Sequence, residues 1–469
     1  MESPALSQVY HGFTNRRKGA RTLRIVIIGG GPAGVAAALE ATALGAEVDL
    51  IEKERVGGNA LWHSMFASKV HLHAIEAAVE AAQAGLAEDR YAAFTSVRKQ
   101  GEALARKQRE RIGAAAAAWQ RLLEEMGVTV HYGEAHLRTP HQVHVQGTAD
   151  TFDLTGDAVL LASGAQQRFP EGMAADEEAI WAPRQAVAKP FLPTRAVVAG
   201  SGATGMELTF LLAAYGCEVT LIDPHTKPLM WEWPEVGALL VEQWHALGVR
   251  FLPSQQVVAA HKERDGVWIE TAEGKRFSAD RLIVAAGRGP TALVQEAVAL
   301  GAKTTQEGFL QVDTHGFTGV DGLFAAGDVT GLPHLASKAA AQGRAAVHVA
   351  LGAASLSVDL LRLPRALFVV PGYAAVGQVA PQAGEQVTTV EFEGGMLRQL
   401  QGRPLMRLHL IADAQQQIVG AAAIGPQAAE LIDRVAMAMA SGWTIAQLRT
   451  FPFIQPGAAD WSFERSWGP

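Results

Sequence analysis

The sequence predicts an α/β protein with two Rossmann-like dinucleotide-binding domains. Three observations support this: the strand, glycine turn, helix, strand and acid pattern occurs twice, both patterns lie in order along the chain, and the 469 residues suit about three domains. The composition, 49% hydrophobic and 19% charged, is typical of globular proteins. No apolar run approaches the ~20 residues of a membrane helix. We therefore expect a cytoplasmic protein without a transmembrane segment.

Charge and cysteine content exclude several classes of function. The formal net charge of -7 argues against nucleic acid as the main partner. The single cysteine, Cys217, cannot form an intramolecular disulfide, and its position favours a small buried hydrophobic residue. No metal site is predicted. Residues 1–22 are rich in arginine and are expected to form a flexible basic leader, although a surface for an anionic partner is an alternative.

The first pattern begins with the β-branched strand Arg24–Ile28 and the glycine turn 29–34, GGGPAG. An alanine-rich helix is predicted over Val35–Leu44, followed by a second strand, Glu47–Ile51, which leads to Glu52. In such a turn the first glycine permits the bend, the second lets a pyrophosphate approach, and the third lets the helix pack on the sheet. The helix N-terminus attracts phosphate, and the acid accepts hydrogen bonds from ribose hydroxyls.

The second pattern repeats the first. Strand Arg195–Ala199 precedes the glycine turn 200–205, GSGATG, and a helix predicted over Met206–Tyr215. Strand Glu218–Ile222 then leads to Asp223. Two such folds in one chain imply two bound dinucleotides.

The acid of the second pattern bears on the choice of nicotinamide. Asp223 favours the free ribose hydroxyls of NAD and repels the additional phosphate of NADP. His225 and Lys227 lie close by in sequence and could partly offset this repulsion. We expect NADH to be preferred over NADPH, with NADPH as the alternative.

A loop between the two patterns resembles a known active site. Residues 56–69 read VGGNALWHSMFASK. They resemble the GG-x-C-x-x-x-x-C-x-x-SK loop of the pyridine nucleotide-disulfide oxidoreductases, the family that includes dihydrolipoamide dehydrogenase, glutathione reductase and mercuric reductase. Ala60 and Met65 occupy the two cysteine positions. The chain therefore lacks the redox-active pair, and we expect no dithiol or disulfide reductase activity.

The resemblance also implies the domain order. Residues 160–164 and 283–288 resemble the family's two crossovers, and residues 323–328 and 331–336 resemble its second FAD motif. It implies FAD in the first site, NADH or NADPH in the second, and an α+β C-terminal dimerisation domain that forms a homodimer. The expected divisions are leader 1–22, FAD-binding 23–160, NAD(P)-binding 161–284, FAD-binding and central 285–350, and dimerisation 351–469.

The resemblance assigns cofactor-binding positions in both domains. For FAD they are Gly29, Gly31, Pro32, Ala33, Gly34, Glu52, Lys53, Gly58, Asn59, Lys69, Ser163, Gly164, Arg288, Gly327, Asp328, Leu335 and Ala336. For NAD(P) they are Gly200, Gly202, Ala203, Thr204, Gly205, Glu207, Asp223 and Gly287.

The resemblance further implies a reduced set of catalytic residues. In the family, a lysine and a glutamate pair beside flavin N5, and Lys69 and Glu207 fill these positions. The family's terminal His-Pro-Thr-x-x-Glu reads QPGAAD here, so the base is lost while Asp460 keeps an acid. His63 could donate a proton to a reduced acceptor, or be a loop residue without a role. Trp62 could stack on a planar acceptor, or pack in the core.

These residues predict a FAD-dependent NAD(P)H oxidoreductase that passes electrons to an acceptor other than a disulfide. A quinone fits best because it is flat and accepts two electrons without a thiol. The alternatives are a soluble pyridine nucleotide transhydrogenase or diaphorase, and a catalytically silent flavin-binding redox sensor. Oxygen remains open as an acceptor.

Overall fold

A computed structural model describes residues 21–85, 90–148, 150–354, 356–392 and 406–454. The chain forms two compact units. The first comprises Met1–Ala67, Arg109–Gln167 and Arg288–Leu360, and the second comprises Ser68–Gln108, Arg168–Gly287 and Leu361–Pro469. The domain divisions proposed above from the resemblance remain predictions.

The first unit is built on a seven-stranded sheet. Five neighbouring strands run parallel, and the last two extend the sheet as antiparallel hairpins. In spatial order the strands are Leu323–Ala325, Ala158–Leu161, Arg24–Ile28, Glu47–Glu52, Thr129–Thr139, Gln142–Gly147 and Thr151–Thr155. The central strand Arg24–Ile28 is buried over its last four residues, as a parallel strand covered on both faces should be.

The second unit contains two larger sheets and one small one. A parallel sheet of five strands has the order Val249–Leu252, Glu218–Ile222, Arg195–Ala199, Arg281–Val284 and Ile180–Trp181. A three-stranded antiparallel sheet consists of Val257–Glu263, Gly266–Thr271 and Arg276–Ala279. A five-stranded antiparallel sheet has the order Arg365–Leu367, Tyr373–Gly377, Ile418–Ile424, Met406–Ala412 and Gln386–Phe392. In the first unit, Gln166–Gln167 and Arg288–Gly289 form an additional two-stranded pair.

The helices differ in length from five to 25 residues. In chain order they are Pro32–Ala43, Gly58–Trp62, Met65–Gln83, Arg90–Lys99, Gly101–Glu125, Pro183–Ala188, Ala203–Ala214, Val236–Trp244, Ala292–Ala299, Ala336–Ala350, Ala428–Ala440 and Ile445–Thr450. Short 3₁₀ turns occur at His245–Leu247, Gly327–Thr330 and Leu360–Arg362. The predicted fold class is confirmed, with two Rossmann-like sheets and a C-terminal α+β part.

Both nucleotide-fold helices begin three residues earlier than the sequence predicted. Helix Pro32–Ala43 starts inside the glycine turn, because proline has a helical φ and lacks the N–H that would otherwise be left unpaired in the first turn. Helix Ala203–Ala214 starts at the equivalent position of the second turn. Strands Arg195–Ala199 and Glu218–Ile222 have the predicted bounds.

The C-terminal part packs one helix on its sheet. Strand Ile418–Ile424 lies third of five in this sheet. Helix Ala428–Ala440 buries Leu431 and Val435, which are four residues apart and therefore on one face. The helix ends before Gly442, whose φ of +69° suits a glycine stop.

Each glycine turn is closed by a contact that only glycine allows. A Cβ on Gly34 would lie 1.8 Å from the carbonyl oxygen of Gly29, and a Cβ on Gly205 would lie 1.8 Å from that of Gly200. The helix backbone thus passes directly over the turn. In contrast, a Cβ on Gly202 would have no other atom within 4 Å.

We expect Gly205→Ala to destabilise the protein while Gly202→Ala does not. The first change forces two backbone segments apart and should cost about 1–3 kcal/mol, as other overpacking changes do. The second adds a methyl group in open space at a φ of -70°, which alanine adopts freely. Thermal unfolding of both variants beside the parent checks this. Equal melting temperatures for the two variants would contradict the conclusion that the contact between Gly205 and Gly200 requires glycine.

Candidate functional site: two dinucleotide cradles and a buried ion pair

We call each glycine turn together with its acid a cradle. The first cradle, the glycine turn 29–34 with Glu52, leaves room at a helix N-terminus. Gly31 precedes helix Pro32–Ala43, no side chain caps it, and a Cβ on Gly31 would have no atom within 4 Å. Gly29 has a φ of +110°, and its N–H donates to the carbonyl of Ile51 at 2.8 Å. Uncapped N–H groups facing open space form an anion site. These residues therefore fit the pyrophosphate of a dinucleotide such as FAD.

An acid lies at the end of the second strand of this cradle. Glu52 is buried, and its Oε2 accepts a hydrogen bond from the Gly30 N–H at 2.7 Å, 22 residues earlier. Its Oε1 accepts from the Glu54 N–H at 2.8 Å. Each oxygen keeps a lone pair for a ribose hydroxyl. Neighbouring Lys53 is exposed.

The loop that resembles the disulfide loop packs on the same turn. The N–H of Gly57 donates to the carbonyl of Gly30 at 2.8 Å, and a Cβ on Gly58 would lie 3.0 Å from the Cα of Gly31. Asn59 is exposed, and its side chain contacts the Ser64 hydroxyl at 3.1 Å. The loop thus packs against the glycine turn 29–34.

The predicted second FAD motif forms a charged cluster in the same unit. Asp328 pairs with Arg288, whose guanidinium also donates to the carbonyl of Ala165 at 2.7 Å. His334 Nδ1 lies 3.7 Å from Asp328. Burial alone would raise the pKa of Asp328, but His334, Arg288 and Lys338 outweigh it and hold the pKa below its usual value. Asp328 is therefore a carboxylate at neutral pH.

The helix that follows this motif packs against the first cradle. The N–H of Gly327 donates to Gln342 at 3.0 Å, and a Cβ on Gly343 would lie 2.3 Å from the carbonyl oxygen of Ala33. Leu335 precedes this helix and Ala336 begins it, with no side-chain cap.

Two further predicted FAD residues lie at the crossover after strand Ala158–Leu161. The hydroxyl of Ser163 is 3.0 Å from that of Thr291, and Gly164 has a φ of +71° with open space at its Cβ position. All the predicted FAD positions except Lys69 therefore belong to the first unit.

The second cradle, the glycine turn 200–205 with Asp223, has the same geometry as the first. A Cβ on Gly202 would lie in open space, no side chain caps helix Ala203–Ala214, and Gly200 has a φ of +109°. Asp223 Oδ2 accepts from the Ser201 N–H at 2.5 Å, again 22 residues apart. Predicted Ala203 and Thr204 form the first turn of the helix, where an anion would sit.

The other Asp223 oxygen is bound by His225. Oδ1 accepts from the His225 backbone N–H at 2.8 Å and lies 2.7 Å from its Nδ1. Gly287, at the return crossover, has a φ of +90° and accepts a hydrogen bond from the Arg168 N–H at 3.0 Å.

Lys69 and Glu207 form an ion pair in the second unit. The Lys69 ammonium lies 2.8 and 2.7 Å from the two Glu207 oxygens. The backbone N–H of Phe368 donates to Glu207 Oε1 at 3.0 Å, and the Phe368 ring centroid is 4.6 Å from the ammonium. Both charged side chains are mostly buried. Two contacts from Phe368, its backbone N–H and its ring, therefore orient the pair.

A second contact joins the helices that carry this pair. His71, two residues after Lys69, is buried, and its Nδ1 is 2.7 Å from the hydroxyl of Tyr215, which follows the helix of Glu207. Burial lowers the pKa of His71 to about 4, although a hydrogen bond with Gln108 acts in the opposite direction. His71 is therefore neutral at physiological pH.

The remaining loop residues lie in the first unit. Ala60 belongs to helix Gly58–Trp62, and Met65 begins the next helix. The Trp62 indole N–H donates to the carbonyl of Val56 at 2.9 Å, and Arg55 lies 4.8 Å from its ring centroid. His63 is half-buried, and its backbone N–H donates to the Asn59 carbonyl at 3.0 Å. The Trp62 contacts favour a structural role within the loop.

Several expectations lie outside the described residues. These are the basic leader up to residue 20, Gln455 and Asp460. Within the parts of the chain that the structure describes, no group of three or more His, Cys, Asp or Glu side chains could hold a metal ion. In those same parts, no helix combines the length and apolarity needed to cross a membrane.

The structure also brings in residues that sequence reasoning missed. Phe368 lies in an apolar run, and nothing in its local pattern indicates a contact with Glu207, 161 residues away. The His71–Tyr215 contact spans 144 residues and likewise has no local signal. The only indirect signal is the expected Lys69–Glu207 pair, which already places the helices that carry His71 and Tyr215 near each other.

The chain is similar to known proteins along most of its length. The family model for pyridine nucleotide-disulphide oxidoreductases matches residues 23–343, and that for the dimerisation domain of the same family matches residues 363–462. A mercuric reductase from Shigella flexneri is 28% identical over 459 residues, which is 94% of this chain and 80% of the relative. Dihydrolipoyl dehydrogenase 2 from Haloarcula marismortui is 26% identical over 443 residues, covering 89% and 90%.

A solved structure agrees over nearly the same length. The crystal structure of LpdA from Mycobacterium tuberculosis superposes with a TM-score of 0.83 at 26% identity, covering 93% of this chain and 97% of that one. Members of the matched family use FAD and NADH or NADPH, in agreement with the two cradles. Residues 23–343 are well over half of the chain. The chain therefore belongs to the pyridine nucleotide-disulphide oxidoreductase family.

Proposed function

We propose that this protein is a homodimeric FAD-dependent oxidoreductase that oxidises NADH in preference to NADPH and reduces a quinone. One observation carries the proposal: the Lys69–Glu207 ion pair is kept while Ala60 and Met65 fill both cysteine positions. The first feature serves hydride transfer between a nicotinamide and a flavin, and the second removes the thiol chemistry that normally follows. The match of residues 363–462 to a dimerisation domain supports the homodimer.

The two cradles supply the cofactor sites of this proposal. Gly31, Glu52 and Asp328 with their neighbours would hold FAD, and Gly202 and Asp223 with theirs would hold the nicotinamide nucleotide. Bound FAD supplies two-electron chemistry, accepting hydride and returning electrons to an acceptor. The protein supplies binding, orientation and fixed charge.

Within this proposal Lys69 stabilises negative charge and Glu207 keeps Lys69 in place. Two carboxylate oxygens hold the ammonium, and the Phe368 N–H fixes one of them. A preorganised charge costs little reorganisation at the moment of reaction, so it is effective in a partly dry site. His63 remains a proposed proton donor to the acceptor. Asp460 remains a proposed catalytic residue that keeps an acid at the family's glutamate position, and Trp62 a proposed stacking surface for a planar acceptor.

The acceptor must take two electrons without a thiolate. A quinone does so in a balanced reaction, in which NADH, one proton and a quinone give NAD⁺ and a quinol. Cys217 offers no alternative thiol, because it is 1% exposed and burial raises its pKa to about 12. A dithiol or disulfide reductase activity is therefore not proposed.

We expect NADH to reduce the flavin rapidly under anaerobic conditions and a quinone to reoxidise it. Stopped-flow absorbance of the purified holoprotein measures both steps. Lys69→Met should slow flavin reduction by about 10²-fold, the scale for loss of one preorganised charge. Lys262→Met, which removes an exposed lysine paired with Glu178, is the matched control and should react as the parent.

Other outcomes separate the alternatives. Absence of reduction by either nucleotide would favour a silent redox sensor. Reoxidation by a second nicotinamide, but not by a quinone, would favour a transhydrogenase. Equal rates for the Lys69 and Lys262 variants would remove the ion pair from the proposed chemistry.

The nicotinamide preference should depend on Asp223. Asp223→Asn removes a carboxylate that would repel the additional phosphate of NADPH, so the ratio of kcat/KM for NADPH to that for NADH should rise about tenfold. Glu218→Gln neutralises an exposed acid at the start of the same strand and should leave the ratio unchanged. An unchanged ratio in the Asp223 variant would show that this carboxylate does not set the preference.

Cys217 should be inert in the native protein. At pH 8 a thiol with a pKa of about 12 is a thiolate in only about 10⁻⁴ of molecules, and the side chain is also shielded from reagent. A thiol reagent should label none of the native protein and one thiol per chain after unfolding in guanidinium. Stoichiometric labelling of the native protein would contradict the conclusion that Cys217 is inert.

A further inference from the structure

An exposed tryptophan stands near the ribose acid of the second cradle. Trp231 is 72% exposed, far more than is usual for a large aromatic side chain. Its ring contacts the imidazole of His225, with centroids 5.5 Å apart and planes at 72°. His225 is bound to Asp223, and Asp223 to the Ser201 N–H of the glycine turn. A continuous chain of contacts therefore connects Trp231 to the cradle.

The backbone around Trp231 is fixed on both sides. Leu229 has a φ of +53°, which is strained for this residue type, and its N–H donates to the carbonyl of Ser201 at 3.0 Å. Glu232 forms a two-point ion pair with Arg365 at 2.7 and 3.0 Å. The position of the exposed ring is thus set by its neighbours.

Trp233, the residue after Glu232, is also held in place. Trp233 is buried, its N–H donates to the hydroxyl of Tyr373 at 3.3 Å, and its ring lies 3.7 Å from that of His409. The segment therefore keeps one tryptophan in the interior and holds the other in solvent. An exposed aromatic ring gains free energy when a flat ligand covers it.

We propose that Trp231 is the surface on which the adenine ring of the pyridine nucleotide stacks, with His225 supporting it. This inference rests on the proposed function, because it assigns the second cradle to a nicotinamide nucleotide. In that cradle the pyrophosphate lies at the helix N-terminus and the adenosine ribose at Asp223. The group beyond that ribose is adenine, a flat aromatic base whose faces stack well on tryptophan.

ADP-ribose tests this surface without any redox chemistry. It carries the adenine, both riboses and the pyrophosphate but no nicotinamide, and calorimetric titration of the FAD-loaded dimer gives its Kd. Trp231→Ala should weaken binding about 5- to 50-fold, as the loss of one base-stacking contact does. Trp231→Phe should bind within about threefold of the parent, because an aromatic face is kept.

Met230→Ala is the matched control. Met230 is the adjacent residue and is 55% exposed, so it reports on loss of any apolar side chain from this segment. It should bind ADP-ribose as the parent does. All variants should melt at the parent's temperature, since neither side chain contributes to the core.

A second measurement separates stacking from a general distortion of the cradle. Reduced nicotinamide mononucleotide lacks the adenosine half of NADH. Trp231→Ala should raise the NADH concentration that half-saturates flavin reduction and leave the value for the mononucleotide unchanged. An equal increase for both donors would overturn the stacking role.

The remaining outcomes also test the stacking inference. Parent-like ADP-ribose binding by Trp231→Ala, or absence of binding by the parent, would overturn the inference. Binding that depends on Trp231 without flavin reduction by either nucleotide would support the inference and overturn the proposed oxidoreductase function.

Discussion

The structure depends on one hydrogen bond, from the backbone of a glycine turn to a carboxylate, that occurs twice. In each nucleotide fold, the N–H of the second turn residue donates to a carboxylate 22 residues later, from Gly30 to Glu52 and from Ser201 to Asp223. This bond fastens the glycine turn to the end of the neighbouring strand. The open helix N-terminus and the acid are therefore held at a fixed separation by a hydrogen bond from the turn backbone to the acid's own carboxylate. A dinucleotide needs these two groups at such a fixed separation, one for its pyrophosphate and one for its ribose.

The position of the Lys69–Glu207 pair depends on the second glycine turn. Glu207 lies on helix Ala203–Ala214, which the second glycine turn directs, and Lys69 is joined to it through both carboxylate oxygens. Removing one member of a mostly buried pair leaves the other charge without compensation, which is costly. The His71–Tyr215 contact joins the same two helices with neutral groups. The pair is therefore part of the packing of these helices as well as of the proposed chemistry.

The strands and glycine turns could be predicted from sequence because their signals are local. Buried parallel strands such as Arg195–Ala199 appear as short β-branched runs, and the turn residues determine the bend. The sequence pattern predicts the helix starts three residues late because the glycine turn and the first helical turn overlap. Phe368 and Trp231 could not be found in this way. Their roles come from contacts with residues that are distant in sequence or from exposure in the folded chain, and neither leaves a periodic pattern.

The positions of the changes in this chain also constrain its proposed chemistry. Disulfide reduction needs two cysteines in the 56–69 loop and a base, whereas hydride transfer to a flavin needs the nucleotide cradles and the charged pair. Ala60 and Met65 leave the first requirement unmet. In the proposed function, the hydrogen-bonded side chains of Glu207 and Asp223 serve the second. Met65 is apolar and polarizable, so we expect it to form a packing wall and not a redox group. Within the proposed function the two halves of the family's reaction are separable, and the half proposed for this chain requires an acceptor that reacts without a thiol.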